Sequence, residues 1–162
     1  MALRTGCPVH KHCPDNADLC KSRREIQKVM VFMLIKHLRE CAEITAIDDT
    51  RLRELLNPLH DKCDAKLGYS LAHATVKSKR STLPHRIKSS SEVYYLLKGR
   101  GIMHIDDKTA ETGPGDTVYI PPGSVQYIEN TGNEDLSFLC IVYPSWRAED
   151  EEVVQVTAKP HR

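Results

Sequence analysis

The stretch Gly-Asp-Thr-Val-Tyr-Ile-Pro-Pro-Gly-Ser-Val-Gln-Tyr-Ile-Glu-Asn, residues 115–130, carries the strongest structural signal in the chain. A glycine and an aspartate precede an apolar run over 117–120, and Pro-Pro-Gly at 121–123 separates that run from another over 125–128. Proline fixes φ and glycine tolerates positive φ, so these residues mark the points where strands end. The stretch therefore predicts two short strands joined by a tight turn.

Similar short runs continue on both sides of this stretch. Turn residues separate them, among them Gly99-Arg100-Gly101 and Thr131-Gly132-Asn133. Regular short strands with this punctuation indicate an all-β sandwich or barrel. The predicted strands cover residues 69–76, 92–97, 102–105, 117–120, 125–128 and 136–143.

Two of the predicted strands, 92–97 and 138–143, are apolar on both faces. One face can line the interior of a barrel, whereas the other must be covered by a second sheet, an N-terminal helix or a second subunit. We therefore expect a homodimer to which the N-terminal segment contributes.

A second pattern lies in residues 84–101, and together the two patterns resemble the motifs of the cupin superfamily. The first motif, H-x-H-x3–4-E-x6-G, is matched at His85, Glu92 and Gly99, with Ile87 in place of the second histidine. The second motif, G-x5-P-x-G-x2-H-x3-N, has Gln126 in place of its histidine. It is matched at Gly115, Pro121, Gly123 and Asn130. The resemblance to small single-domain cupins of type 2 implies an all-β fold, a jelly-roll-like cupin β-barrel.

The resemblance also implies a metal site inside the barrel. In metal-binding cupins the three histidines and the glutamate of the two motifs hold one divalent ion, and His85 and Glu92 match two of these ligands. Gln126 would supply a weaker amide oxygen or would bind substrate, and Ile87 cannot coordinate a metal. Nitrogen and oxygen ligands with open positions suit a divalent transition metal, here Fe²⁺, Mn²⁺, Ni²⁺ or Zn²⁺.

One further histidine is a candidate to complete this metal set. His73 lies in the run just before the first motif, and in the barrel it would restore a set of two histidines and one carboxylate. The alternative is that His73 lies on the outer face or satisfies a core hydrogen bond, and the sequence leaves both open. For His104 the spacing favours the outer face, opposite Met103 and Ile105.

The same residues also suit chemistry that needs no metal. A carboxyl group such as Glu92 in an apolar barrel has a raised pKa, and His85 beside it would allow general acid–base catalysis. Tyr94 lies on the same strand face as Glu92 and would either offer its hydroxyl to a ligand or pack in the core. The candidate catalytic residues are therefore Glu92, His85 and Tyr94.

The N-terminal 58 residues are predicted to form two segments. Residues 1–20 are either a flexible tail or a small zinc site; their metal-capable residues are Cys7, His10, His12, Cys13 and Cys20. Residues 21–58 are predicted to be helical, with Ser22 and Glu25 as a capping box and a second helix over 51–56 that Asp48 or Asp49 caps.

The barrel is assigned to residues 59–147. Residues 148–162 are predicted to form an acidic, solvated C-terminal tail, which Trp146 pins back onto the barrel.

Charge and hydropathy limit the partners. Lysine plus arginine number 23 against 22 aspartate plus glutamate, so there is no electrostatic reason to expect nucleic acid or an anionic membrane. The first apolar cluster, 29–35, is shorter than the roughly 20 residues of a membrane span. We expect a cytoplasmic protein with reduced cysteines and a small-molecule ligand.

Three functions remain open at this point. The first is a metal-dependent cupin enzyme, such as an isomerase, lyase or dioxygenase, acting on a small polar metabolite. The second is a non-catalytic binding or sensor cupin without a full metal site, which Ile87 and Gln126 favour. The third is a transcriptional regulator, for which the sequence shows neither a recognition helix nor a basic face.

Overall fold

The computed structural model describes residues 33–62 and 66–155. The barrel belongs to a compact unit that begins at Ile35. Short 3-10 turns cover Leu38–Glu40 and Ala148–Asp150. The strands are β1 (Glu43–Thr45), β2 (Arg51–Leu56), β3 (Ser70–Val76), β4 (His85–Ile87), β5 (Ser91–Lys98), β6 (Gly101–Ile105), β7 (Lys108–Thr112), β8 (Thr117–Ile120), β9 (Gln126–Asn130), β10 (Leu136–Tyr143) and β11 (Glu151–Val153).

The strands form two antiparallel sheets that face each other. The first has the order β1-β2-β3-β10-β5-β8 and the second the order β11-β4-β9-β6-β7. Side chains alternate between the faces of a strand, so every second residue points between the sheets. This arrangement confirms the predicted all-β, jelly-roll-like barrel, and all six predicted strands are present.

The core lies between the inner faces of the two sheets. On β5 the inner residues are Glu92, Tyr94 and Leu96, all buried. On β10, paired with β5 and β3, they include Leu136 and Phe138. The remaining members of the core cluster are Ala74, Val76, Met103, Ile120, Ile128 and Cys140.

The turns of the two motifs have visible structural reasons. Gly99 has φ +84, and a Cβ at Gly101 would lie 2.4 Å from the Glu129 carbonyl oxygen. Only glycine fits such a close backbone approach. Asn130 is buried, donates to the carbonyl oxygens of Val76 and Glu134, and accepts a bond from the Gly132 amide. These motif positions therefore shape the barrel rather than its chemistry.

The predicted helix over 51–56 is wrong, because these residues form strand β2. Six residues are too few for a helix that packing does not support, and here β1 and β3 satisfy the backbone groups as neighbouring strands. The alternation Arg51, Leu52, Arg53, Glu54 is a strand pattern, with Leu52 and Glu54 facing the interior.

Asp48 does not cap a helix either. Its carboxylate accepts bonds from the amide and the hydroxyl of Thr50, at 3.1 and 2.6 Å, and so closes the β1–β2 turn. The next residue, Asp49, adopts φ 69, a conformation that aspartate tolerates in turns. Asp48 and Asp49, which were expected to cap a helix, therefore form the turn of the β1–β2 hairpin.

The first predicted helix, from Ser22, falls mainly outside the described residues, as does the cysteine- and histidine-rich segment 1–20. Over its described part, residues 33–41, the chain contains the 3-10 turn Leu38–Glu40 and no α-helix. In the part of the chain that the structure describes, no helix has the length and hydropathy needed to cross a membrane.

The C-terminal residues up to 155 are not a solvated tail. Glu151–Val153 form an edge strand that pairs with β4, so the sheets extend beyond the predicted range 59–147 on both sides. Trp146 pins this segment, as proposed from the sequence: its backbone amide donates to Ser70 and its indole Nε1 to Glu151. An acidic run therefore supplies both a strand and a buried carboxylate.

The outer face of the first sheet carries exposed apolar side chains. Tyr95 and Leu97 lie on β5, Tyr119 on β8 and Tyr143 at the end of β10. The homodimer expected from this pattern stays a prediction.

Candidate functional site

Three inner strands bring the two cupin motifs together at one end of the barrel. Glu92 begins the inner face of β5, His85 begins β4, and Gln126 begins β9 directly opposite His85. Their exposed fractions are 6%, 3% and 1%. The two motifs are far apart in sequence, but alternate residues of adjacent strands point into the same interior, so these side chains lie close together.

Glu92 and Gln126 are joined by a short, buried hydrogen bond. The Gln126 Nε2 donates to Glu92 Oε2 at 2.6 Å. Burial raises the pKa of Glu92 to about 7, while His85 and the Gln126 amide oppose that shift and the carboxylates of Glu151 and Asp48 add to it. Both protonation states of Glu92 are therefore populated near neutrality.

His85 is held in one orientation by the backbone. Its Nδ1 lies 3.0 Å from the Leu83 carbonyl oxygen, which only accepts, so Nδ1 carries the hydrogen. Two carboxylates flank the ring: Asp48 Oδ2 lies 3.6 Å from Nδ1 and Glu151 Oε1 lies 3.8 Å from Nε2. In the neutral ring, Nε2 is consequently the nitrogen that can accept a hydrogen bond.

Two of these carboxylates were missed from the sequence. Asp48 reaches the site from the β1–β2 turn and Glu151 from β11. The alternation of charge and leucine in 51–56 is the signal that would have placed Asp48 beside a strand. No comparable signal identifies Glu151, which lies within a run of four acidic residues, 149–152.

A cavity of about 280 Å³ adjoins this cluster. Its size lies near the lower end of the roughly 300–1,000 Å³ typical of small-molecule pockets. The walls are mainly apolar and come from the first sheet with its β1–β2 hairpin, from β4 of the second sheet and from the segment around Trp146; examples are Ile44, Leu52, Ile87, Phe138 and Val142. The polar lining includes Asp48, Glu54, His85, Glu92 and Glu151.

Tyr94 is packed in the core and also forms part of the cavity wall. It lines the cavity, yet its ring packs against Phe138 with the ring centres 4.4 Å apart. Burial raises the pKa of its hydroxyl well above the usual value, so the phenol stays protonated. Cys140, across on β10, is also buried, and burial raises the pKa of its thiol. Tyr94 can therefore donate or accept a hydrogen bond but does not supply a phenolate.

His73 does not reach the site. It lies on the opposite face of β3 from Ser70 and Ala72, which line the cavity, and pairs across the sheet with Leu139 and Arg53. Partial burial and the Arg53 charge lower the pKa of its imidazole. His73 therefore belongs to the outer face of the first sheet, and the interpretation of His73 as a ligand to a metal in the barrel is wrong.

His104 also lies outside the barrel, as the sequence indicated. It stacks on Tyr127 with the ring centres 4.0 Å apart, and its Nε2 lies 3.0 Å from the Glu129 carboxylate.

The residues present do not fit the metal that the fold family implies. Ile87 fills the position of the second motif histidine, and the Gln126 amide directs its donor rather than its oxygen toward Glu92. Within residues 33–62 and 66–155, no group of three or more histidine, cysteine, aspartate or glutamate side chains is arranged to hold a metal ion. His85 and Glu92 remain as two ligands, one fewer than an open metal site uses.

Comparison with known sequences gives the family context. The family model for the cupin domain matches residues 72–142. An uncharacterised protein of Methanocaldococcus jannaschii is 43% identical over 108 residues, which cover 67% of this chain and 84% of that protein. The Thermotoga maritima oxalate-binding protein is 38% identical over 36% of this chain and 48% of its own length. The Thermococcus kodakarensis glucose-6-phosphate isomerase is 39% identical over 38% and 34%. This chain thus spans less than two thirds of either named relative.

Solved structures give the same fold. A Thermotoga maritima protein described as a predicted oxalate decarboxylase superposes with a TM-score of 0.57 and 25% identity, covering 68% of this chain and 99% of that one. A cupin 2 conserved barrel protein of Salinispora arenicola gives a TM-score of 0.60 at 20% identity, covering 74% and 92%. The motifs, the barrel and these matches agree: the chain belongs to the cupin superfamily.

Proposed function

We propose that this cupin binds a small organic molecule in its barrel cavity and does so without a resident transition metal. The observation that carries the proposal is the cavity itself: mainly apolar walls with a few polar groups, His85, Glu92 and Glu151, converging at one end. A concave apolar pocket with few convergent polar groups is the usual form of a small-molecule site.

The hydrogen bonding at the motif positions supports metal-independent binding. Glu92 Oε2 already accepts a bond from Gln126, and the Nε2 of His85 lies 3.8 Å from Glu151 Oε1. These groups are therefore available to position a ligand through hydrogen bonds. The named relatives extend beyond the aligned region, so their ligands are no more than candidates here.

A second candidate is an acid–base enzyme working in the same cavity. It is favoured by the Glu92 carboxyl, whose pKa of about 7 suits proton transfer near neutrality, beside His85 with one free ring nitrogen. The reaction class would be a proton shift on the bound molecule, with Tyr94 as a hydrogen-bond partner.

Metal content tests the first half of the proposal. Protein purified without chelator and then exposed to Mn²⁺, Fe²⁺, Ni²⁺ or Zn²⁺ should show no metal binding that depends on His85 and Glu92. Elemental analysis and calorimetric titration of the wild type, His85→Ala and Glu92→Ala measure this, with His73→Ala as a control outside the cavity. Stoichiometric metal that disappears in the first two variants and persists in the control would overturn the proposal.

A neutral probe tests the second half. Benzyl alcohol has an apolar ring and one hydroxyl, which match the apolar walls and polar end of the cavity. We expect saturable NMR shifts confined to residues around the cavity. Ala72→Leu fills space in the cavity and should abolish them, whereas Ala110→Leu, on exposed β7, should leave them unchanged. Shifts that persist in Ala72→Leu would place the probe elsewhere.

A further inference from the structure

The charged groups that line the cavity are strongly biased toward acids. Four lining residues carry carboxyl groups, and His85 is the sole basic side chain among the described lining residues, which include no lysine and no arginine. The four are Asp48, Glu54, Glu92 and Glu151.

The basic residues nearest in sequence are committed elsewhere. Arg86, between the inward His85 and Ile87 on β4, bonds Glu152 through its Nε at 2.6 Å. Lys88 donates to the Glu149 carbonyl oxygen at 2.9 Å. Arg53 lies on the outer face of β2 and pairs with Glu43. An anionic ligand in the cavity would therefore meet carboxylates without a cation to receive it.

The carboxyl groups also retain unused acceptor capacity. Asp48 accepts from Thr50, Glu92 from Gln126, and Glu151 from the Trp146 indole. An ionised carboxylate has about four acceptor positions, so each can receive further donors. The lining also includes the hydroxyl groups of Thr50 and Tyr94 and the Cys140 thiol, which offer fewer donors than the carboxyl groups have acceptor positions.

The electrostatic balance points the same way. Even when protonated, His85 supplies one positive charge to three buried or nearly buried carboxyls, Asp48, Glu92 and Glu151. Burial raises the pKa of Glu92 and of Glu151, because charged carboxylates are unfavourable away from water. A ligand with a positive charge and several N–H donors would offset the negative charge of the carboxylates and would donate to their open acceptor positions.

We propose that the cavity selects an organic ammonium ion, a protonated amine on a compact apolar body, over carboxylate or phosphate anions. This inference rests on the proposed function and names the ligand class of the same site. It separates this chain from the acidic ligands that the names of the oxalate-binding and glucose-6-phosphate isomerase relatives indicate for those proteins.

Three probes of the same shape test the selection. Benzylamine, benzyl alcohol and benzoate share the apolar ring and differ in charge, and oxalate serves as a second anion. NMR or calorimetric titration of the full chain at pH 7.5 should rank benzylamine first. We expect it to bind at least about tenfold more tightly than benzyl alcohol, as a charged hydrogen bond allows, with benzoate weaker than both.

Neutral replacements locate the selecting groups. Asp48→Asn keeps one acceptor oxygen for the Thr50 amide, and the Thr50 hydroxyl can rotate to accept from the new NH2 group. Glu151→Gln keeps an oxygen for the Trp146 indole, so each preserves the local structure. Each should weaken benzylamine about three- to tenfold and weaken benzyl alcohol by a smaller factor, because the amide oxygen still accepts a bond from a neutral hydroxyl. Glu111→Gln, exposed on β7, removes an equal charge outside the cavity and should change neither.

The possible outcomes separate the two proposals. Benzoate or oxalate binding as tightly as benzylamine, or an unchanged benzylamine affinity in both neutral variants, would overturn the ammonium selection and leave a small-molecule site in place. If no probe binds in the cavity, the proposed function itself fails, and the selection fails with it.

Discussion

The barrel interior has a packed end, the apolar core around Leu96 and Leu136, and an open end, the cavity beside Glu92 and Val142. The same strands contribute residues to both ends. On β5, Leu96 is packed into the core, whereas Glu92, four residues earlier on the same face, lines the cavity. On β10, Leu136 belongs to the packed end and Val142 to the open end. An apolar end supplies stability without any chemistry, and this allows the other end to keep carboxyl groups away from water at a cost in free energy.

The largest expected effect lies at the packed end. Leu96 is 1% exposed, and Leu96→Ala should lower the free energy of unfolding by about 3 kcal/mol, because the transfer term and the cavity add. Leu97, the next residue on β5, faces outward and is 42% exposed. Leu97→Ala is the matched control and should cost less than about 1 kcal/mol. Equal losses in urea denaturation would contradict the difference between the two faces.

This packed end was the part of the molecule most accessible from sequence. Turn residues such as Pro121 and Gly123 limit where strands end, and period-two alternation assigns their faces, so local rules sufficed for the six strands of residues 69–143. At the open end, the resemblance to the two cupin motifs implied that His85, Glu92 and Gln126 lie together, and the strand pairing and the Gln126–Glu92 bond bring them together. Both predictions used patterns that can be recognised in a short stretch of sequence.

The open end was only half predictable, because its remaining groups depend on long-range pairing. Asp48 and Glu151 come from segments that form strands only when β3 and β4 are present beside them. The helix prediction over 51–56 failed for a different reason, because the alternation of charged residues and leucine there is a local strand signal that was interpreted as a short helix. The sequence left the face of His73 open, and the register of β3 decides for the outer face, because residues one position apart on a strand point to opposite faces.

The next prediction concerns Ile87 and Gln126, the two motif positions that we hold responsible for the proposed lack of a metal site at the open end. Ile87→His with Gln126→His completes the four-ligand set of the cupin motifs around His85 and Glu92. The double variant should gain binding of Ni²⁺ or Zn²⁺, and metal at 100 times its Kd should stabilise it by about 2.7 kcal/mol. Calorimetry and metal-dependent thermal denaturation measure the gain.

The two single variants are the controls for this gain. Each has one ligand fewer, and we expect much weaker metal-dependent stabilisation in either of them than in the double variant. A wild-type protein stabilised as strongly as the double variant would show that a metal site forms without these histidines.

The pH dependence of stability sharpens the difference between the ends. Glu92 has a folded-state pKa of about 7 against 4.5 for the unfolded chain, so the folded state binds this proton more tightly. Its contribution to stability is fully present below pH 4.5 and is lost as the pH rises toward and through 7. Between pH 5 and 8 this amounts to about 2 kcal/mol of lost stability.

Glu92→Gln should remove that loss. The variant keeps an amide oxygen for the Gln126 donor, while the titratable neighbours His85, Asp48, Glu151 and Cys140 remain. Urea denaturation at pH 5 and 8 should therefore show a flatter profile, with the variant more stable than wild type at pH 8. Parallel profiles would mean that Glu92 titrates as an ordinary carboxyl group.

The smallest effect concerns the contact that holds β11 over the open end. The Trp146 indole Nε1 donates to Glu151 Oε2 at 2.9 Å, and the ring also meets His60 edge-on with the ring centres 6.1 Å apart. Trp146→Phe keeps an aromatic ring but removes the donor, which should cost about 1 kcal/mol. Because one bond at an edge strand is lost, hydrogen exchange should accelerate at the amides of β11 before those of β5. Tyr143→Phe, an exposed aromatic change on β10, is the control and should alter neither. Uniform acceleration across both sheets would instead show that the indole bond supports the whole barrel, so that the two ends are not independent.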